Sequence, residues 1–414
     1  MISLPQELIE AIVGLVDDLD ALKACSLVCM SLVPVAQRIL LRSLTIQQVG
    51  SGRWRSGQGP RGVLSIQRAH AFLQASPNIS SYIRHLKIRF TGPPLSIGEE
   101  GPLESILSAL TSIEDLVICG SISAPHSPIT SLLPGFLAVL QLPTIERVCL
   151  LNIRAISSSF LSLAMASARI VLMQNISVAP VLADEQDFVG HKGHLPTARL
   201  EHLIFQGSLT HGMSSVLDLI VDSDAPQYLH RVHTLEVAMP PGGQAPARRI
   251  IAAAATTVEH LLIDYGDCYR SRSNNGLQLP LLPALRYIEL ILFLGWVRRL
   301  PQDLYSTVAA FPDVIPNVRR ICLVFVLDSL EQQVPWQDSG MFALFDHRCG
   351  WRSQLPRLRR LECCLELSLS ESNPETVQDA AFAEFVASTE ARFPGLRGTG
   401  ILSFSRRVML EEEG

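Results

Sequence analysis

Apolar and polar positions alternate in one recurring arrangement along most of this chain. A six-residue cassette, apolar-polar-polar-apolar-x-apolar, runs from Ile83 to Ile88, Ile113 to Ile118 and Ile145 to Leu150. It returns from Leu200 to Phe205, Val232 to Val237, Val258 to Ile263, Leu285 to Leu290, Val318 to Leu323 and Leu358 to Cys363. A weaker copy falls at Ile170 to Leu172, and Leu396-Arg397 begins a degenerate last one. The last two apolar positions of a cassette are two residues apart and so point the same way from a strand, while the first covers its approach. Each cassette therefore predicts a short strand with one buried face. Proline turns precede many of them, as in Leu142-Pro143-Thr144, Leu195-Pro196-Thr197, Leu282-Pro283-Ala284, Ile315-Pro316-Asn317 and Leu355-Pro356-Arg357. Proline stops the preceding helix and sets the chain for an extended run.

Between cassettes the spacing becomes helical, as at Leu103, Ile106, Leu107 and Leu110, at Phe136, Leu137 and Leu140, and at Val216, Leu217 and Ile220. One strand and one helix thus alternate per unit, and such units bury their apolar faces by stacking on their neighbours. The predicted fold class is an α/β repeat solenoid, a horseshoe with strands on the concave face and helices outside. A doubly wound α/β domain also alternates strand and helix. The polar pair inside every cassette favours the repeat.

The first 44 residues lack strand signals and predict three short helices. Pro5 suits a first helical turn, and Leu8, Ile9, Ile12, Val13, Leu15 and Val16 give the first helix a broad apolar face. Asp18 and Asp20 can cap a second helix carrying Leu22, Cys25, Val28 and Cys29, and Ser31 or Val33-Pro34 starts a third through Ile39 and Leu41.

Leu4-Pro5-Gln6-Glu7-Leu8-Ile9-Glu10-Ala11-Ile12, followed by Asp20-Ala21-Leu22-Lys23-Ala24-Cys25-Ser26-Leu27-Val28-Cys29, resembles an F-box. With Phe72 to Pro77 and the cassette after Tyr82, the chain is similar in style to fungal-type F-box proteins with irregular C-terminal leucine-rich repeats. The resemblance implies docking of the helices to the Skp-type adaptor subunit of an SCF cullin-RING ubiquitin ligase, with the repeats presenting a protein substrate whose identity the sequence does not name. Leu4, Pro5, Leu8, Ile12, Leu22, Val28 and Cys29 match the apolar signature of that family, and Leu32 stands where the family usually has Trp. Met30 stands where it has a basic residue. The resulting organisation is residues 1–44 as the helical module, 45–80 as a first strand, loop and linking helix, 81–405 as the repeat array and 406–414 as an acidic tail. A plain leucine-rich-repeat scaffold without ligase association is the alternative.

Composition narrows the function classes. Of 414 residues, 48% are hydrophobic, 18% charged and only 6% aromatic, so the chain can bury apolar surface along its whole length but offers few platforms for stacking bases. The net charge of -5 and the absence of a long basic run argue against a nucleic-acid surface. The densest basic stretch, Arg53, Arg55 and Arg61 around Trp54, sits among glycines and reads as a loop. The stretch Leu277 to Val297 is the most apolar, but Pro280, Pro283, Arg286 and Glu289 are costly in a membrane span. No basic leader begins the chain, so a cytoplasmic or nuclear protein with reduced cysteines is expected.

No grouping predicts catalysis or a cofactor. Phosphate-binding Gly-rich runs and a Gly-x-Ser-x-Gly elbow are missing. His191-x-x-His194 and His230-x-x-His233 have metal-compatible spacing without third and fourth ligands nearby. Cys25 and Cys29 on the second helix read as packing residues, and Cys363-Cys364, on opposite faces of a strand, makes a poor chelate. Asp264, Asp267 and Tyr269 follow a strand and read as a solvated turn. No enzyme, metal or cofactor is expected.

Overall fold

The computed structural model describes residues 5–16, 18–28, 30, 32–48, 62–91, 95–120, 133–179, 199–206, 216–222, 226–239, 244–266, 277–293, 302–327, 339–350, 354–369 and 375–410. The chain divides into two compact units, Met1–Leu200 and Glu201–Gly414. Both are α/β, with parallel strands taken almost entirely in chain order.

The first unit opens with three helices, α1 (Gln6–Gly14), α2 (Leu19–Val28) and α3 (Val33–Leu40). Val13, Leu22 and Val35 form their small core, with Ile9, Val16, Leu32, Ile39 and Leu40 packed around it. Asp18 Oδ1 accepts the Asp20 N–H at 2.9 Å, capping α2 as its side chain allows.

Strand β1 (Ser43–Gln47) follows α3 almost at once, so the strand array begins inside the segment expected to be helical. The remaining strands of this unit are β2 (Val63–Ser65), β3 (His85–Arg89), β4 (Asp115–Cys119), β5 (Arg147–Leu151) and β6 (Ile170–Gln174). Their order is β2-β1-β3-β4-β5-β6. Helices α4 (Ile66–Ala75), α5 (Ile97–Ala109), α6 (Leu133–Leu140) and α7 (Ser158–Ser167) intervene and pack side by side in sequence.

The second unit holds β7 (His202–Gln206), β8 (Thr234–Ala238), β9 (His260–Asp264), β10 (Tyr287–Phe293), β11 (Arg320–Leu327), β12 (Arg360–Leu369) and β13 (Leu402–Leu410), each beside the next. Its longer helices are Ala245–Ala253, Gln302–Ala309, Ser339–Gly350 and Glu375–Glu390. Phe325, Phe342, Phe385 and Phe393 pack ring against ring between these helices and the strands. Apart from β2, which lies on the outer side of β1, the strands of each unit follow chain order, which is compatible with stacked repeats.

The cassette explains the rungs in atomic terms. All three apolar positions of each full cassette are buried, from Ile83, Leu86 and Ile88 through Leu358, Leu361 and Cys363. The polar pair has a backbone reason. The first polar residue of one rung accepts two N–H groups from the polar pair of the next: Arg42 O from Arg84 and His85, Arg84 O from Glu114 and Asp115, and Glu114 O from Glu146 and Arg147. The same fork recurs in the second unit from Glu201 O to Arg319 O, where Arg359 and Arg360 donate. These carbonyls stand at the rim, where their side chains reach water and cross-pair, as Arg42–Glu114 at 3.2 Å and Arg286–Glu259 at 3.3 Å. The turn before a rung is pinned in a similar way: Thr144 Oγ1 donates to Ile113 O at 2.7 Å and Asn317 Nδ2 to Pro283 O at 2.6 Å.

Three expectations are revised. The weak cassette at Ile170 to Leu172 is out of phase: Ala168, Val171 and Met173 are the buried set, and Ile170 and Leu172 lie on the other face. A one-residue change of phase moves every side chain of a strand to the opposite side. In the last rung Leu402 pairs with Leu361, so Thr399 rather than Leu396 holds the first cassette position, and Leu396 is buried in the turn before it. Finally β13 continues through Leu410 into the segment expected as a tail, whose Glu411 to Gly414 lie outside the described residues.

Candidate functional site

The helical module carries apolar side chains on two sides of α1. Ile9, Val13 and Val16 turn inward to the small core, while Leu8, Ile12 and Leu15 are exposed. On α2, Leu22 is only 1% exposed, but Leu19, Leu27 (86%) and Val28 (79%) face water, as does Met30 after it. Seven of the ten large apolar side chains exposed among the described residues therefore fall between Leu8 and Met30. Single exposed leucines are ordinary, whereas this module gathers seven large apolar side chains on its surface.

Against this geometry the eight sequence candidates separate. Leu8, Ile12 and Val28 present their side chains outward. Pro5 is exposed at the N-terminal boundary of α1, where its carbonyl accepts the Leu8 and Ile9 N–H groups. Leu22 lies in the core, and Leu32 packs partly against that core. Leu4 and Cys29 lie outside the described residues. Leu15, Leu19, Leu27 and Met30 are exposed apolar positions that the family signature did not single out; their signal was an apolar pattern too wide for one buried stripe.

The module is not an appendage. Only Leu41 and Arg42 separate α3 from β1, and the Arg42 carbonyl is the first fork of the rung ladder. The Arg38 guanidinium lies 5.9 Å from the Tyr82 ring centre, and Arg42 pairs with Glu114 of the third rung at 3.2 Å.

On the strand face of the first unit, the half-exposed positions alternate with the buried ones. His85 Nδ1 meets Asp115 Oδ2 at 2.7 Å, and Arg147 lies 3.9 Å from the same carboxylate. The next positions along β3 are Lys87 and Arg89, with Val117, Cys119, Leu151 and Leu172 on the following strands. Burial raises the Cys119 thiol, and the Lys87 and Arg89 charges act against that shift. Burial likewise pushes the Cys149 thiol up to about 11.

The second unit ends in a charged network on the strand face. Arg407 of β13 reaches Glu289 of β10, with Nη1 2.7 Å from Oε1 and Nη2 3.2 Å from Oε2. Glu289 also accepts from the Tyr287 hydroxyl, and Glu362 accepts from Arg320 and from Ser405 Oγ at 2.6 Å. Cys322, Val324, Val326 and Cys364 form a buried cluster on this face. Burial is the main reason the Cys322 thiol is pushed up to about 12, with Glu289 and Glu362 adding to it. Burial also opposes ionisation of Glu362, but the Ser405 and Arg320 hydrogen bonds outweigh it and hold the carboxyl below its ordinary value. Glu366, buried beside Arg407, is raised instead, because desolvation exceeds the help from that cation. These groups are engaged with one another and tie the last strand to the array.

Other candidates fall apart in space. His233 Nδ1 sits 3.4 Å from the Thr257 carbonyl, and His191 and His194 lie outside the described residues. Cys363 and Cys364 are both buried, on opposite faces of β12. Asp264 Oδ1 accepts the Gly266 N–H at 2.7 Å, whereas Asp267 and Tyr269 are not described. Among the described residues no three His, Cys, Asp or Glu side chains gather as a metal site, and no helix is long and apolar enough to cross a membrane. No protein-family model matches the sequence, and a search of curated proteins finds no relative.

Proposed function

We propose that this chain is a non-enzymatic adaptor: the helical module is an F-box-like handle for the Skp-type subunit of a cullin-RING ubiquitin ligase, and the strand array is an irregular leucine-rich repeat that holds a protein substrate. The observation that carries this reading is the concentration of exposed apolar side chains between Leu8 and Met30 on a module that nonetheless has its own core. A helix pair that buries one apolar stripe and exposes another is built to complete its packing on a second protein. The resemblance of residues 4–44 to an F-box names the partner. Because α3 runs directly into the first rung, a docked adaptor and a substrate held on the first unit would be joined without a flexible linker. Bond chemistry would belong to the partners.

Tagged full-length chain should co-purify the Skp-type adaptor from cells, and recovery should fall with Leu8→Glu/Ile12→Glu; adaptor recovery that is absent, or indifferent to these changes, removes the ligase assignment. A second reading, a repeat scaffold whose handle has lost its partner, is favoured by Leu32. This residue fills the position of the family's Trp and leans into the module's core. In that reading Leu8→Glu/Ile12→Glu, on the outward side of α1, leaves partner binding by the array intact.

A further inference from the structure

The strand face of the first unit carries two cations whose side chains are left without a partner among the described residues. Around it the described charges are matched: His85 and Arg147 share Asp115, Arg42 and Arg84 share Glu114, and Arg169 meets Glu146. On β3 the Lys87 and Arg89 side chains make no hydrogen bond or ion pair to any described residue. They are two apart on β3 and so project from the same face about 7 Å apart. Beyond them the face becomes aliphatic and half-exposed, with Val117 on β4, Leu151 on β5 and Leu172 on β6.

From this juxtaposition we propose that the strand face of the first unit binds an extended acidic segment of a partner protein, its carboxylates meeting Lys87 and Arg89 and its aliphatic side chains lying over Val117, Leu151 and Leu172. The distance suits a peptide: three strand spacings cover about 14 Å, the reach of roughly four extended residues. Charge selects the sign of the ligand, since an acidic segment neutralises two cations whose neighbours are already paired. The chemistry of the face disfavours nucleic acid, because among the described residues none of its positions on β1 and β3 to β6 is Phe, Tyr or Trp. The inference rests on the reading that the array grips a protein, and not on the ligase partner.

The test is selection of a random phage-displayed peptide library on immobilised full-length chain. Enriched peptides should be acidic with interspersed aliphatic residues, and Lys87→Glu/Arg89→Glu should weaken a selected peptide by about tenfold or more, while Lys87→Arg/Arg89→Lys retains it. Both positions are half-exposed, so the melting temperature of the reversed variant should match wild type. Enrichment of neutral or basic peptides, no enrichment, or binding that survives charge reversal overturns the proposal. Adaptor co-purification is scored separately on the same variants, so loss of the handle and loss of the acidic-peptide site give different results.

Discussion

Arg407 and Glu289 are 118 positions apart in sequence, and only the stacking of four strands brings them to a bidentate contact. Glu289 is 5% exposed in its side chain, so removing the cation strands a buried carboxylate. Arg407→Ala should therefore cost about 3 kcal/mol, read as a lower urea midpoint; a loss within the error of wild type would show the pair to be ornamental. Glu366 makes the opposite case. Its folded pKa is raised by burial, so ionising it works against the native state: the penalty is absent below the unfolded pKa, grows as pH rises between the two values, and is full above the folded one. Glu366→Gln should raise the melting temperature at neutral pH and leave it unchanged at about pH 3, where both states carry the proton. A gain equal at both pH values would contradict that cause. None of these partners was legible in the sequence, because nothing local marks a contact made across strands. The buried triplets were legible, since three apolar residues at fixed spacing define a face. At β6 this failed: Ile170 and Leu172 are more apolar than their buried neighbours Ala168 and Met173, and a strand apolar on both faces gives no sign of which one is covered.

At the scale of elements, the helical module separates packing from presentation. The apolar pattern of residues 8 to 16 predicted α1 but not which part of its wide stripe is core; that is settled by Val13, Leu22 and Val35 meeting one another. Leu22→Ala should cost about 2–5 kcal/mol by opening a cavity in this core, whereas Ile12→Glu, at a side chain 56% exposed, should leave the module's helical signal and melting unchanged. If Ile12→Glu unfolded the helices and Leu22→Ala did not, the two sides of the module would be assigned the wrong way round. The strands were legible for a different reason. The polar pair that recurs in every cassette is where one rung's carbonyl takes two N–H groups from the next, so residues at that position stand at the solvent rim and stay polar. The lengthening of β10 to β13, to between 7 and 10 residues, lies beyond the cassette and was not foreseen from it.

At the scale of the molecule, each unit keeps its parallel strands almost entirely in chain order, and the first rungs bury one face more deeply than the other. The described charged groups in the second unit's buried network satisfy one another, and the exposed apolar residues cluster in the module that leads into the first rung. On the proposed reading, such a protein acts by holding its partners. The proposed docking face on the outward side of the helices is tested by calorimetric titration of purified full-length chain with purified Skp-type adaptor. A saturable one-to-one complex is expected, which Leu8→Glu/Ile12→Glu/Val28→Glu abolishes without lowering the melting temperature; no heat of binding with the wild-type chain, or undiminished binding by this variant, would rule out the docking face.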